Sequence, residues 1–431
     1  MRPFSRPRRI PCAAGFLLIM LCATMTWAAD DDPAPRLGEI VIEGNTSTRD
    51  KLIRQEMGLV QGQVFTYDDM DAVWDHLEDI GYFAFVDMEY DDTDPQHVVL
   101  RVLVEEDTTI HYGPLIRYDR RHKYLLGVKL KERNLGGRGQ VLDAEISFYY
   151  IQRGKLAWTA PWLFGVKGLQ LQLATDAEQA DFVYRPTRYN KWNAGLELRW
   201  QFAGPFYALA GGTFGSFKQR DEYSWPTPDR GEGEGPSVVH PVGTDTHIVA
   251  RGGLGVDTRD NPYYPGRGIM VAADLRQWTS DDFESYLEGT ADLRAFVPLP
   301  IDKHVLAGHA WGRQTDGPAQ LDNALYFGGP ETVRGYRFGG REGDEGWLLS
   351  LEYRLPLFIM PISPRGELIG AGLHAFADAG DAWYKGDDPH SPMQSWGAGV
   401  HLNLDTLQLR FEAARTREGE WVFEFMDKFN F

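Results

Sequence analysis

From about residue 110 to the C-terminus, apolar and polar side chains alternate with a period of two residues. The segments 141–148, 191–200 and 407–412 each carry aliphatic and aromatic side chains on one face and charged or amide side chains on the other. Such alternation predicts β-strands with two chemically different faces. The spacing of strands and connections gives about 16 strands at about 20 residues each, an even number that a closed antiparallel barrel permits.

The alternation alone leaves open whether the apolar face meets lipid or a water-excluded core, since a half-buried sheet of a soluble protein has the same pattern. Tryptophan and tyrosine cluster near strand ends, as in the aromatic girdles of membrane barrels. Connections alternate between short ones and longer ones, which is typical of such barrels. The predicted short connections are 134–139, 202–205, 298–302 and 404–406, and the predicted long ones are 179–188, 218–243, 315–345 and 381–394. The chain ends on Phe429 and Phe431, a C-terminal strand signal common in outer-membrane barrels.

The first 29 residues predict export. Four arginines precede a short apolar run, and small residues follow it at Ala28 and Ala29, which is the pattern of a secretory signal peptide. Both cysteines, Cys12 and Cys22, fall in this segment, so we expect no disulfides in the exported chain. Removing four arginines and no acidic residue takes the net charge from −18 to about −22. This acidity disfavours nucleic acid as a partner.

Residues 36–107 have a different pattern, which predicts a small α+β domain in the order β-α-α-β-β. A strand over residues 39–43 precedes a short helix that Thr48 is expected to cap. A second helix carries apolar residues at helical spacing from Met70 to Ile80 and ends at Gly81. Two strands follow, near residues 82–90 and 97–105.

This domain resembles a POTRA domain in three segments: Ile40–Thr48 (IVIEGNTST), Leu77–Phe83 (LEDIGYF) and Val102–Glu106 (VLVEE). A generic α+β domain of the same element order is the alternative. The resemblance implies binding of client chains by addition of a strand to an open sheet edge, where unpaired backbone N–H and C=O groups give affinity without demanding a particular sequence.

The barrel segment resembles the Omp85 superfamily, whose barrels carry POTRA domains. The matching segments are Phe327–Tyr336 (FGGPETVRGY), Phe376–Gly380 (FADAG), Val256–Pro262 (VDTRDNP) continuing to Pro265–Gly268 (PGRG), and Leu351–Arg354 (LEYR). The resemblance implies that the first lies on the sixth extracellular loop and folds back into the lumen, and that the second lies on the thirteenth strand. The loop motif comprises Val333, Arg334, Gly335 and Tyr336, and the strand motif comprises Phe376, Asp378 and Gly380.

By this resemblance, Glu352 and Asp378 lie on the inner wall beside Arg334. A guanidinium that leaves bulk water needs anionic, preferably bidentate partners, so we expect the three residues to form a cluster that fixes the loop. The alternative is a solvated arginine in a glycine-rich loop. The motif residues Asp257, Arg259 and Asp260 are expected to shape a turn rather than to contact a client.

The sequence contains no recognisable catalytic or metal-binding motif, and we expect no enzymatic activity, cofactor or metal. The acidic residues of segment 339–346 could hold a hard cation through Glu342, Asp344 and Glu345, but a solvated loop tip is the preferred interpretation.

The function expected from the resemblance is protein translocation or insertion at the outer membrane, with the POTRA domain in the periplasm. The POTRA edge would capture an unfolded client and pass it to the lumen, or to the seam between the first strand and the last, at residues 110–119 and 420–431.

A single POTRA domain departs from the multi-POTRA central assembly barrel of the superfamily. This departure disfavours the essential insertase role of that barrel for the present protein. One alternative is a structural anchor or secretion pore for one dedicated partner, as in patatin-fused barrels, and another is a small-solute diffusion pore. The expected partners are outer-membrane lipids and an unfolded client, with accessory periplasmic proteins or a homo-oligomer as further candidates.

Overall fold

The computed structural model describes residues 35–431 except 95, 120–122, 150, 182–187, 220–222, 226–237, 241–242, 263, 320–322, 338, 362–367, 388–389, 406 and 427–431. Two predictions therefore lie outside the described residues, namely the signal peptide over 1–29 and the C-terminal pair Phe429 and Phe431. The first domain has the predicted order, with these bounds: β1 Leu37–Glu43, α1 Asp50–Met57, α2 Tyr67–Asp79, β2 Phe83–Asp91 and β3 Val98–Glu106.

The small domain is a three-stranded sheet packed against two helices. β3 lies in the middle, parallel to β1 and antiparallel to β2. The apolar sides of the helices and the alternate residues of β3 form one buried core, which includes Ile53, Leu77 and Leu100 at 0% exposure. α2 begins with a capping box, in which the Thr66 hydroxyl accepts from the Asp69 N–H and the Asp69 carboxylate accepts from the Thr66 N–H.

The glycine of the EGNTST segment is required by a close backbone contact. Gly44 has φ +90°, and a Cβ there would lie 2.0 Å from the Val104 carbonyl oxygen. The turn that follows is closed by Glu106, whose carboxylate accepts from the Thr46 hydroxyl at 2.6 Å and the Thr48 N–H at 2.5 Å. Although burial opposes ionisation, these hydrogen bonds outweigh it and lower the pKa of Glu106 to about 2.

The prediction that Thr48 caps the first helix is wrong. The N-cap of α1 is Arg49, which makes no side-chain cap. Thr48 is instead buried at 3% exposure, because its hydroxyl accepts a 2.9 Å hydrogen bond from the Asn134 side chain of the barrel. A residue with the chemistry of a cap is thus used to join two domains.

A second contact between the domains involves the turn at residues 161–168. The indole N–H of Trp162 donates to Glu56 of α1 at 2.5 Å, and its ring packs against the core of the small domain. Close approach also occurs at Gly137, where a Cβ would lie 1.9 Å from the Ser47 carbonyl oxygen. The small domain is therefore held against two turns at one end of the barrel.

The rest of the chain forms a sixteen-stranded sheet in which all neighbours are antiparallel and follow one another along the chain. Its ends are β4 and β23. The strands are β4 Ile110–Asp119, β5 Lys123–Leu135, β6 Gln140–Tyr149, β7 Ile151–Ala160, β8 Leu169–Asp181, β9 Arg188–Ala203, β10 Phe206–Gln219, β13 Gly243–Asp257, β14 Gly268–Ser280, β15 Tyr286–Pro298, β16 Val305–Thr315, β19 Glu345–Pro361, β20 Leu368–Trp383, β21 Met393–Asp405, β22 Leu407–Thr416 and β23 Trp421–Met426. Between β7 and β8, residues Leu163–Gly165 form a short 3₁₀-type turn in which Phe164 departs from helical φ and ψ.

The strand ends agree with the four predicted short connections, but the alternation is not strict, since one residue separates β6 from β7 at the end opposite the small domain and eight separate β7 from β8 at the near end. Turns of a few residues join β5 to β6, β9 to β10 and β21 to β22 at the end where the small domain lies. At the opposite end, two of the long connections contain hairpins of their own. These are β11 Tyr223–Trp225 with β12 Val238–His240, and β17 Leu325–Phe327 with β18 Arg341–Gly343.

The apolar face of the large sheet is on its outside. Side chains such as Ile146, Leu196, Leu254 and Leu351 are 51% to 65% exposed, whereas charged residues such as Arg410 and Glu412 point inward and are buried. A soluble half-buried sheet has the opposite arrangement, so an exposed apolar surface around a charged interior identifies a transmembrane barrel. The predicted fold class, a barrel of about 16 strands behind one small α+β domain, is confirmed.

No helix among the described residues is both long and apolar enough to cross a membrane.

Candidate functional site: the loop cluster inside the barrel

The long connection between β16 and β19 folds into the barrel and brings Arg334 to its interior. The β17–β18 hairpin leads into a turn in which the Gly328 N–H donates to the Thr332 hydroxyl at 2.9 Å. Gly328 and Gly335 have φ +100° and +84°, conformations that favour glycine. The turn leaves both Val333 and Arg334 at 0% exposure. The alternative interpretation, in which Arg334 is solvated in a glycine-rich loop, is therefore wrong.

Arg334 contacts three carboxylates. Its Nε and Nη2 donate to the two oxygens of Asp378 at 2.6 and 2.7 Å, a bidentate pair. Its Nη1 donates to Glu352 at 2.9 Å and to Glu412 at 3.2 Å. The structure thus brings together Arg334, Asp378 and Glu352 as the sequence predicted, and adds Glu412 of β22, which the sequence analysis did not single out.

The FADAG segment of β20 contributes each of its three motif residues to this site. Phe376 lies under the guanidinium, with the Arg334 Cζ 3.6 Å from the ring centroid. Asp378 forms the bidentate pair. Gly380 leaves room for the loop, because a Cβ there would lie 3.0 Å from Val333 Cγ2. The motif therefore provides an aromatic ring and a carboxylate for the guanidinium, and room for Val333 at the glycine. These three positions are spaced by two residues along one strand face.

Two further arginines surround the same carboxylates. Arg354 Nε lies 2.8 Å from Glu352, and Arg410 Nη2 lies 2.5 Å from Glu352 and 2.8 Å from Glu412. Together with Arg334 and Asp378, the cluster holds three guanidinium groups and three carboxylates. These formal charges cancel, which is the condition under which so many ions can be buried together.

A chain of hydrogen bonds extends the cluster toward the end of the barrel where the small domain lies. His374 Nε2 lies 2.8 Å from Glu412, the two Nδ1 atoms of His374 and His401 are 3.1 Å apart, and His401 Nε2 lies 3.1 Å from the Tyr264 hydroxyl. Because a carboxylate only accepts, His374 donates from Nε2 and accepts at Nδ1. With both rings neutral, His401 then donates from Nδ1, and the Tyr264 hydroxyl donates to His401 Nε2.

Tyr264 lies in the turn between β13 and β14, between the VDTRDNP and PGRG motifs. As expected, Asp257 and Arg259 shape this turn, through a bidentate pair with bonds of 2.9 and 2.7 Å. Asp260 also holds the turn by accepting from the Gly266 N–H at 2.9 Å. The sequence analysis missed Tyr264, which is buried at 6% exposure and joins this turn to the cluster.

The other end of the loop motif contacts the last strands of the sheet. The Gly335 N–H donates to Glu424 of β23 at 3.2 Å, and a Cβ on Gly335 would lie 2.9 Å from the Cβ of Ala414. The Tyr336 hydroxyl donates to Glu418 at 2.7 Å, in the connection between β22 and β23. The loop therefore packs against the wall formed by β20 to β23.

Among the described residues, one grouping has side chains close enough for a metal ion: Glu352, His374 and Glu412. All three are already occupied, since Glu352 and Glu412 accept from arginines and His374 donates to Glu412. A divalent cation would place two further positive charges beside three guanidinium groups. The chemistry of these residues therefore does not suit a metal.

The acidic loop segment is not the solvated tip that we expected. Asp344 is 1% exposed and accepts from the Lys385 N–H at 2.6 Å, while Glu345 accepts from the Trp383 indole at 3.1 Å. Glu342 accepts from the Tyr384 hydroxyl. The three acids bind three separate donors at the end of β20, so they hold the loop to the wall.

Comparisons with known proteins agree with this geometry. Residues 134–426 match the model of the Omp85 superfamily domain, and residues 35–107 match the POTRA model, described as a surface antigen variable number repeat. The chain is 22% identical over 314 residues to the outer membrane protein assembly factor BamA of Nitratidesulfovibrio vulgaris, which covers 70% of this chain and 37% of that protein. It is 28% identical over 178 residues to the sorting and assembly machinery component 50 homolog of Mus musculus, with 35% of this chain and 37% of that protein covered. The chain thus spans little more than a third of the length of these curated relatives.

Among solved structures, BamA from Haemophilus ducreyi lacking POTRA domains 1–3 superposes with a TM-score of 0.68 at 17% identity, covering 91% of this chain and 84% of that one. CdiB from Acinetobacter baumannii superposes with a TM-score of 0.62 at 15% identity, covering 91% and 73%. At such identities the likeness concerns the fold alone. The match of the superfamily model over most of the chain goes further: this protein belongs to the Omp85 superfamily and combines its barrel with one POTRA domain.

Proposed function

We propose that this protein lies in the outer membrane with its POTRA domain in the periplasm, and that it inserts or translocates polypeptides received at the POTRA sheet edge. The observation that carries the proposal is that the two edges of that sheet differ. The β1 edge is covered, because Leu37 forms backbone hydrogen bonds with Gln63 and Gly62, and the Arg54 side chain donates to the Ile40 carbonyl. Among the described residues, no strand pairs with the outer edge of β2.

An open edge can accept an extended client strand, since its backbone groups provide hydrogen bonds to any sequence. The β2 strand also offers side-chain contacts, because Phe85 is 50% exposed. The predicted edge binding therefore narrows to β2. Transfer from this edge to the lumen, or to the seam between β4 and β23, is the second part of the proposal.

The buried loop bears on the alternative functions. Because Arg334 and its partners occupy the interior at almost no exposure, the loop argues against a wide, permanently open diffusion pore. An anchor or secretion pore for one dedicated partner stays an alternative. It differs from insertion in the final location of the client, which would not be the membrane.

The test uses an unfolded outer-membrane barrel as client, namely residues 110–431 of this chain diluted from urea. The full protein is reconstituted in phospholipid vesicles with a photoreactive amino acid at Glu89 on β2 or, as a matched control, at Glu39 on β1, both exposed. We expect crosslinks from position 89 and not from position 39. We also expect folded client to appear in the membrane faster than in vesicles that lack the protein. Equal crosslinking from both edges would refute capture at β2. Protease-protected client inside the vesicles would indicate translocation rather than insertion, and unchanged client folding with no transport would refute both.

A further inference from the structure

The turn between β7 and β8 combines two features that are unfavourable in a water-soluble protein. Phe164 is 90% exposed, and its φ of +56° with ψ +16° lies in the left-handed region, which disfavours a phenylalanine. Its neighbour Val166 is 42% exposed. Nothing in the described chain compensates for this exposure, so the contact that favours an aromatic ring here lies outside the chain.

The position of the turn indicates what that contact is. The Gln201 N–H donates to the Gly168 carbonyl at 2.9 Å, so the turn lies directly beside the end of β9. There an outward row of aromatic rings begins, formed by Trp200, Phe202 and Phe206, with centroid separations of 5.7 and 6.5 Å along the row. Each of these three side chains is 48% exposed. Aromatic residues in this position form the girdle at a membrane–water interface.

The length of β9 places this row at the periplasmic boundary of the membrane. Trp192, another outward aromatic residue of the strand, precedes Phe202 by ten positions. At about 3.3 Å per residue along strands tilted by about 40°, that step rises about 25 Å, the height of the apolar band of a membrane barrel. Phe202 then lies at the lower boundary, and the turn that carries Phe164 follows at headgroup depth.

We propose that Phe164 and Val166 insert into the periplasmic leaflet as an interfacial foot, and that phospholipid is their partner. The foot continues the lipid-facing surface of the barrel beyond its strands. The same turn holds the POTRA domain, since Trp162 donates to Glu56 and Gly165 lies beside Gln55, where a Cβ would be 3.2 Å from the amide nitrogen. Insertion of this turn into lipid therefore fixes the orientation of α1 relative to the membrane plane. The proposal needs only the membrane barrel and is independent of any client.

Site-directed spin labelling tests the proposal. Both cysteines lie at positions 12 and 22, so a chain starting at residue 30 has none and accepts single labels. The variants are Phe164→Cys, Phe202→Cys in the aromatic row, and Val60→Cys, an apolar POTRA residue that is 66% exposed. All three positions are exposed, and barrel folding is checked by heat-dependent gel mobility. The proteins are reconstituted in vesicles of phosphatidylethanolamine and phosphatidylglycerol.

We expect the label at 164 to resemble that at 202, with a severalfold higher ratio of oxygen to nickel-chelate accessibility than the label at 60. A label at 164 as accessible to the nickel chelate as that at 60 would overturn the proposal and leave a periplasmic protein as the occupant. Protection from both reagents would also overturn it, because this indicates contact with a second copy. As a further measurement, Phe164→Gly removes the ring and relieves the backbone. It should broaden the distance distribution between labels at Val60 and Leu254, and an unchanged distribution would refute the link to POTRA orientation.

Discussion

Replacing Arg334 with alanine should destabilise the barrel more than replacing any single partly exposed arginine of its wall. The cluster is neutral because three guanidinium groups face three carboxylates, and the variant leaves it with one uncompensated negative charge. The carboxylates are affected unequally. Glu352 keeps Arg354 and Arg410, and Glu412 keeps Arg410 and His374.

Asp378 is the carboxylate that loses most. Both of its side-chain donors within 2.7 Å come from the Arg334 guanidinium, and among the described residues only the backbone N–H of residue 334, at 3.2 Å, would remain. Removing one partner of a buried ion pair costs about 3–5 kcal/mol, because the other charge stays buried without compensation. We expect a loss of this size for Arg334→Ala. The double variant Arg334→Ala/Asp378→Ala should cost less than the single one, since it restores neutrality.

The free energy of unfolding is measured by guanidinium titration of vesicle-reconstituted protein, followed by tryptophan fluorescence, with protease cleavage of the loop as a second measurement. Arg251 provides the matched control. It pairs with Glu197 at 2.7 Å and Asp274 at 2.9 Å on the same inner wall, but its side chain is 31% exposed. Its replacement by alanine should cost under about 1 kcal/mol. The reasoning fails if Arg334→Ala is no more damaging than Arg251→Ala, or if the double variant is less stable than Arg334→Ala.

Three further predictions concern the periphery of the cluster and the POTRA domain. Tyr264→Phe should cost about 1 kcal/mol of barrel stability in the same titration, since it leaves His401 Nε2 without its donor. Asn134→Ala removes the hydrogen bond to Thr48 and should speed amide exchange at the start of α1. Because the Asn134 Oδ1 also accepts from the Gly139 N–H, the β5–β6 turn should change as well, with the strands from β8 onward unchanged. Because folding lowers the pKa of Glu106 from 4.5 to about 2, its hydrogen bonds stabilise the POTRA domain fully above about pH 4.5 and progressively less toward pH 2. Glu106→Gln should flatten that part of the pH dependence of POTRA unfolding measured by circular dichroism, and an unchanged slope would contradict the assignment.

Much of this architecture could be predicted from local patterns. A period of two residues with an apolar face specifies strands, and glycine-rich or long polar stretches specify the ends, so the strand count and the alternation of connections followed. The Arg334–Asp378 pair was also predictable, because an arginine on a loop that enters a lumen needs a bidentate anion. Here the resemblance of two short motifs supplied the pairing, which no spacing along the chain contains.

The missed residues share a different property: their partners are brought near only by the pairing and register of strands that are distant along the chain. Glu412 and His374 lie 38 positions apart and face each other across β21, which no local pattern reveals. Arg410 and Glu412 were visible as inward polar positions, but the depth at which they meet Arg334 depends on strand register. The prediction for Thr48 was wrong for the opposite reason. Its local chemistry suits a helix cap, but a hydrogen bond with the barrel replaces that role.

The two ends of the sheet are held by different means. On one side of the seam, the turns after β5 and β7 bind the POTRA domain through Asn134 and Trp162. On the other side, loop contacts to Asp378, Glu412 and Glu424 hold β20, β22 and β23. β4 thus lies beside the part of the wall that the POTRA domain holds, whereas β23 belongs to the part that the loop holds. If a client parts these two strands, as in the proposed lateral route, it displaces either a docked soluble domain in water or a neutral ion cluster in the lumen, and only the second displacement exposes buried charge. We therefore expect the POTRA side to yield first.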